Sequence, residues 1–135
     1  MSPFDLLRFM GECGWFFKRI DIPDGTLYFE QMIKDERVMV FYDDKKPIGF
    51  LAYSICDDYL PFWRKSAWEF KPHNPEGKIV FIEHMAFKNF DKKFKTLIER
   101  SLISKYPDFE CAIWRRNRKP EDKKVIVKRR IYEKV

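Results

Sequence analysis

Apolar residues recur along the chain with two different spacings, and these spacings mark the helices and strands that we expect. Residues 2–5, Ser-Pro-Phe-Asp, are typical of a helix start: the hydroxyl can cap the first turn, proline fits there, and the acid suits its positive end. Residues 23–25, Pro-Asp-Gly, predict a turn. After that turn, Thr26 can cap a second amphipathic helix that runs to about Lys34.

Strands are expected in the middle of the chain. Residues 38–42 and 47–55 are β-type runs joined by the polar stretch 43–46, and together they predict a hairpin. Residues 57–77 have no sustained period and hold three prolines, so we expect a long connection there. Residues 78–87 are the most apolar strand candidate, and we expect this strand to be central.

The remaining elements complete an α+β pattern. Asp91 can cap a helix over about residues 92–105, which Pro107 ends, and strands are expected at 110–114 and 125–132. The order is two helices, a hairpin, a long connection, a strand, a helix and two strands. This order predicts an α+β fold with a mainly antiparallel central sheet and flanking helices.

Composition narrows the class of protein. The 135 residues fit one domain, residues 1–135, that ends in a basic hairpin. A hydrophobic fraction of 45% argues against disorder, although 36% of the residues are charged. No stretch approaches the roughly 18 apolar residues of a membrane span, so we expect no membrane contact. The three cysteines are an odd number and lie far apart, as expected for reduced thiols in a cytoplasmic protein.

The net charge of +6 is concentrated near the C-terminus, where residues 115–130 hold nine Lys or Arg against two acids. Such a segment attracts phosphates and acidic proteins. Arg115, Arg116, Arg118 and Lys119 are therefore candidates for binding nucleic acid or an acidic protein. The alternative is a solvated hairpin whose charges keep an exposed edge strand from pairing. No nucleic-acid motif accompanies the basic residues.

The element order resembles that of the GNAT-type N-acyltransferases. Residues 46–50, Lys-Pro-Ile-Gly-Phe, resemble the start of an early hairpin strand of that family. Residues 82–87, Ile-Glu-His-Met-Ala-Phe, resemble its central strand, which a helix directly follows. The resemblance covers roughly residues 25–116. It implies transfer of an acyl group from a thioester donor, acyl-coenzyme A or acyl carrier protein, to an amine. It leaves open whether this chain is an active enzyme.

One part of the family pattern is missing. In that family a glycine-rich loop follows the central strand, and its backbone amides bind the pyrophosphate of acyl-coenzyme A. This chain has no counterpart of the loop, because residues 88–94 contain no glycine. Lys92, Lys93 and Lys95 could still attract a phosphate by charge and are the candidates for binding the donor.

Two divergent groups offer parallels. The lysine acyltransferases that activate RTX toxins lack the same loop and take acyl chains from acyl carrier protein. Residues 83–87 are loosely similar to their D-W-x-A-P stretch, although no histidine precedes His73 here to match their N-terminal catalytic one. Small GNAT-like phage proteins are the other parallel. They imply a non-catalytic protein of the host cytoplasm or the virion that binds a polyanion or a protein through the basic C-terminal hairpin.

Acyl transfer to an amine needs a group that deprotonates the amine, so acids and histidines near the central strand are the catalytic candidates. Glu83 is an acid within an apolar strand; the alternative is a glutamate that faces solvent or pairs with a lysine. His84 points to the opposite face, where a packed, hydrogen-bonded histidine is the alternative. His73, in the proline-rich connection, is the third candidate. The histidines and cysteines lack metal-ligand spacing, so we expect no metal.

Overall fold

The computed structural model describes residues 1–14, 22–89, 92–114 and 124–128, with Lys92 and 124–128 described by their backbone alone. Four helices and five strands lie within these residues. The helices are α1 (Pro3–Glu12), α2 (Ile22–Lys34), α3 (Leu60–Trp63) and α4 (Lys92–Lys105). The strands are β1 (Val38–Asp43), β2 (Lys46–Cys56), β3 (Ile79–Phe87), β4 (Cys111–Trp114) and β5 (Lys124–Lys128).

The strands follow the order β1-β2-β3-β4-β5 in one sheet. The β1/β2 and β4/β5 pairs are antiparallel, whereas β3 and β4 run parallel. β3 is thus the middle strand, which confirms the prediction of a central strand over residues 78–87. The α+β class with flanking helices is also confirmed.

The chain divides into two compact units. Unit 1 consists of Met1–Tyr53, Ser66–Lys71 and His84–Asn89. Unit 2 consists of Ser54–Lys65, Pro72–Glu83 and the described residues from Lys92 onward. The expectation of a single domain stays a prediction. None of the described helices is long and apolar enough to cross a membrane.

The start of α1 is held by a reciprocal pair of hydrogen bonds. The Asp5 backbone N–H donates to Ser2 Oγ at 3.2 Å, and the Ser2 backbone N–H donates to Asp5 Oδ2 at 3.0 Å. Proline occupies the first turn, where its missing N–H costs no hydrogen bond. The bonds from the backbone and then the side chain of Ser2 lower the pKa of Asp5 below its ordinary value. The predicted helix start is confirmed.

The prediction for α2 was wrong about how the helix begins. Residues 23–25 lie within the first turn of the helix and do not form a separate turn. Thr26 is not its cap, because its Oγ1 donates to the Ile22 carbonyl oxygen one turn earlier, at 2.6 Å. Gly25 is buried, and a Cβ at that position would come within 2.9 Å of the Leu7 side chain. This glycine therefore allows α1 and α2 to pack closely.

The predicted hairpin is confirmed, and within the polar stretch 43–46 the turn itself consists of two residues. Asp44 and Lys45 both have positive φ, 48° and 66°, which matches the right-handed twist of the paired strands. Within β2, Gly49 leaves the space that the Phe87 ring fills, since a Cβ at residue 49 would overlap that ring. Phe87 also stacks on Phe41, with ring centroids 5.7 Å apart.

Within unit 1, buried side chains form hydrogen bonds with the main-chain carbonyls of the Ser66–Lys71 segment. The fully buried Arg37 donates from Nη1 to the Lys71 carbonyl oxygen at 2.8 Å. The buried ammonium of Lys71 donates to two further carbonyls of the segment, at 3.0 and 3.1 Å. His84 Nε2 lies 2.7 Å from the Ala67 carbonyl oxygen. Since a carbonyl only accepts, Nε2 carries the proton in this contact.

We expect Gly49→Ala to destabilise the protein by about 1–3 kcal/mol, because the added methyl group forces the packed Phe87 ring out of its place. Chemical denaturation monitored by circular dichroism measures the change in the free energy of unfolding.

Gly11→Ala is the matched control, because a Cβ at residue 11 meets no atom within 4 Å and the position lies in α1. This change should stabilise the protein by up to about 1 kcal/mol, through the better helix propensity of alanine. Equal effects of the two substitutions would contradict the packing described for Gly49.

Candidate functional site

Glu83 lies where the described parallel pairing of β3 ends. The pairing runs from Ile79 opposite Cys111 to Ile82 opposite Trp114, and Glu83 is the next residue of β3. Its side chain is half-buried. The middle strand of the sheet therefore presents a carboxylate directly after its last described position of pairing with β4.

A buried hydroxyl holds this carboxylate. Ser54, on β2, is fully buried, and its Oγ donates a hydrogen bond to Glu83 Oε2. A hydroxyl bound to an ionised carboxylate forms one of the stronger hydrogen bonds in proteins. The contact restrains the Glu83 side chain in one orientation, although the residue retains access to solvent.

Aromatic side chains lie beside this pair in unit 2. A cluster of buried apolar residues comprises Cys56, Phe62, Trp63, Phe81 and Ile113, and Tyr59 packs against it. Cys56 is two residues from Ser54 on β2, and Phe81 is two residues from Glu83 on β3. Since alternate residues of a strand share a face, the cluster adjoins the polar pair. The short helix α3 supplies two of its aromatic rings.

The thiol of Cys56 is kept neutral in this environment. Burial raises the pKa of Cys56 from 9.0 to about 12. Smaller contributions in the same direction come from Asp58, Asp57, Cys111 and Glu83. A thiol with so high a pKa forms little of the thiolate that attacks an electrophile near neutral pH. Cys56 therefore has the character of a core residue.

His73 lies against β2 close to Ser54. The Ile55 backbone N–H donates to His73 Nδ1 at 3.0 Å, and the Asn74 N–H donates to the Ile55 carbonyl oxygen at 3.0 Å. Since Nδ1 accepts a hydrogen bond, the neutral ring carries its proton on Nε2. The side chain is half-buried, and its ring centroid is 6.4 Å from that of Tyr106.

His84 belongs to unit 1 and has different neighbours. It is 1% exposed and stacks on Trp68, with ring centroids 4.4 Å apart and an interplanar angle of 16°. Tyr28 and Phe29 of α2 also contact its ring. Glu83 and His73 thus lie in one unit, and His84 lies in the other. A catalytic role for each of the three stays a prediction.

The lysines predicted to bind a donor lie at the start of α4. Lys93 and Lys95 are exposed, and the first turn of the helix carries no acid. The side chain of Lys92 lies outside the described part of the structure, as do Arg115, Arg116, Arg118 and Lys119. Nucleic-acid or acidic-protein binding by those basic residues stays a prediction. Among the described residues, no group of three or more His, Cys, Asp or Glu could hold a metal ion.

A cavity of about 350 Å³ lies elsewhere in unit 2. Its walls come from the loops that lead into β3 and β4, including Gly77, Lys78, Tyr106 and Phe109. Because those strands are parallel, both loops lie at the strand ends opposite to the one near Glu83. The cavity is therefore separate from the Ser54–Glu83 pair.

The sequence prediction missed Ser54. A signal was present, because this serine interrupts the apolar run of residues 48–55 much as Glu83 interrupts the next strand. Which polar residue of one strand meets which of the other depends on their relative register, and the hydrophobic pattern does not determine it.

No protein-family model and no curated protein matches this chain. Among solved structures, it is similar to the loading GNATL domain of CurA from Lyngbya majuscula, with a TM-score of 0.56 and 11% sequence identity. The match covers 83% of this chain and 58% of that one. The chain has a GNAT-type fold. The GNAT-type fold predicted from the element order is confirmed, and the chain spans a little over half of the length of its structural neighbour.

The thiol of Cys56 should react only when the protein unfolds. In a Cys13→Ser/Cys111→Ser variant, we expect the aromatic disulfide DTNB to label Cys56 very slowly at pH 8 and rapidly in denaturant. The pKa of Cys56 is raised, so the buried neutral thiol contributes to the free energy of unfolding. This contribution is fully present below about pH 9 and is lost as the pH rises towards 12. Rapid labelling of the folded variant would contradict this.

Proposed function

We propose that this chain transfers an acyl group from a thioester donor to an amine, with Glu83 as the general base. The observation that carries the proposal is the half-buried Glu83 carboxylate on the middle strand of a GNAT-type sheet, held by Ser54 where the described parallel pairing ends. The carboxylate borders an aromatic cluster, where fewer waters compete for it.

The chemistry needs one group to accept a proton. An amine is mostly protonated near neutral pH and cannot attack until it loses a proton. A carboxylate first attracts the ammonium group by charge and then accepts its proton. The nitrogen attacks the thioester carbonyl, the C–N bond forms, and the C–S bond breaks. The nitrogen loses its second proton as the amide forms, and the leaving thiolate takes up that proton, directly or through water.

For the donor, we propose a thioester on an acyl carrier protein in preference to acyl-coenzyme A. Residues 88–94 contain no glycine, and their side chains would hinder the close approach of a pyrophosphate to backbone amides. Exposed lysines at the start of α4 suit an acidic protein surface instead. The similar domain of CurA is a loading domain. A closer relationship to the RTX-activating acyltransferases stays a prediction.

The test compares two donors with two acceptors. Acetyl-coenzyme A and acetylated acyl carrier protein are each offered with a polyamine or a lysine-containing peptide, and acylated product is measured by mass spectrometry. We expect product with the carrier-protein donor, and a rise in melting temperature when that donor is present. Absence of product with both donors would refute the proposed function, and product with acetyl-coenzyme A alone would refute the choice of donor.

Glu83→Gln should lower the turnover rate by about 10²- to 10⁴-fold, because the amide cannot accept the proton. The donor should still raise the melting temperature, since the substitution leaves the lysines in place. Glu30→Gln, the same chemical change at an exposed position of α2, is the control and should keep full activity. Full activity of Glu83→Gln would exclude Glu83 as the base.

A further inference from the structure

The position of Ser54 needs an explanation, because a serine hydroxyl is costly to bury. Ser54 is 0% exposed, and it follows the fully buried residues Phe50, Leu51, Ala52 and Tyr53 of β2. Burial of a hydroxyl without a hydrogen bond costs about 1–3 kcal/mol, so alanine would suit a site that served packing alone. The contact that offsets this cost is the hydrogen bond from Ser54 Oγ to Glu83 Oε2.

The glutamate does not require this serine in order to be solvated. Glu83 is half-buried, so water has access to its side chain. A fully buried carboxylate would need protein donors to offset its desolvation, but a half-buried one can obtain donors from solvent. What the Ser54 hydroxyl adds is therefore mainly a fixed direction for the carboxylate.

We propose that Ser54 is a positioning residue that holds the Glu83 carboxylate in the orientation in which it accepts a proton from the acceptor amine. This inference rests on the proposed function. An unrestrained glutamate has three rotatable side-chain bonds and divides its time among several rotamers. A charge-assisted hydrogen bond from a rigid strand selects one of them before the substrate arrives, and such preorganisation contributes to the rate.

Substitutions of Ser54 test this role by separating turnover from binding. We expect Ser54→Ala to lower kcat by about 10- to 100-fold, because a misdirected base reduces the rate by that order. The KM for the amine should change by less than about twofold, since Ser54 is assigned no contact with the substrate. Ser54→Thr keeps the hydroxyl and should recover most of the rate.

Two further variants guard against a structural explanation. Ser54→Cys adds no branch to the side chain but donates only a weak hydrogen bond, so its rate should lie between those of Ser54→Ala and the wild type. If the extra methyl group of Ser54→Thr disturbs the core, the order of rates wild type, Ser54→Cys, Ser54→Ala still tests the role of the hydroxyl. Ser101→Ala, at a half-buried serine of α4, is the control and should keep the wild-type rate.

Proton NMR provides a readout that does not depend on the reaction. A buried hydroxyl bound to a carboxylate should give a downfield signal that exchanges slowly with water. This signal should vanish in Ser54→Ala and shift in Glu83→Gln. A rapidly exchanging, unshifted hydroxyl would overturn the inference.

The outcomes separate the two proposals. If the wild-type protein is active and Ser54→Ala is equally active, the positioning role is refuted while the proposed function stands. If Ser54→Ala raises KM and leaves kcat unchanged, Ser54 serves binding and the positioning role is again refuted. If the wild-type protein transfers no acyl group from either donor, the proposed function fails and the positioning role falls with it, whatever the hydroxyl signal shows.

Discussion

Successive side chains of β3 point to opposite faces of the sheet, and the organisation of the site depends on this alternation. Glu83 meets the Ser54 hydroxyl and borders an aromatic cluster, whereas His84 stacks on Trp68. Adjacent residues of one strand therefore have different surroundings: a serine hydroxyl for Glu83 in unit 2 and a packed indole for His84 in unit 1. A shift of β3 by one residue would exchange these two environments, so the strand register decides which side chain can meet a substrate.

The hydrogen bond between Ser54 and Glu83 links two strands that follow each other in the sheet. It lies beside a buried aromatic cluster, and Glu83 itself is half-buried. The same surroundings keep Cys56 protonated, since burial and the nearby carboxylates disfavour a second negative charge. Glu83 is accessible, whereas the Cys56 thiol stays neutral. Of the two groups, the carboxylate is therefore the more suitable proton acceptor.

The features that depend on residues close together in the chain were mostly predicted from the sequence. The start of α1 and the hairpin with its turn within residues 43–46 follow from residues close together in the chain, and both predictions are confirmed. The start of α2 was misjudged because proline followed by aspartate suits the first turn of a helix as well as a free turn. The Ser54–Glu83 contact joins residues 29 positions apart, so only the pairing of strands brings it about.

The Ser66–Lys71 segment is bound by Arg37, Lys71 and His84 through carbonyl oxygens, which every amino acid possesses. At these oxygens the path is specified by backbone shape, whereas Trp68 and Lys71 also hold the segment through their side chains. Residues of the segment that contribute only a carbonyl oxygen can be substituted during evolution with little loss of stability. A deletion that moved those oxygens would instead take acceptors away from two buried cations. Divergent homologues should thus preserve the length of this segment while its sequence varies.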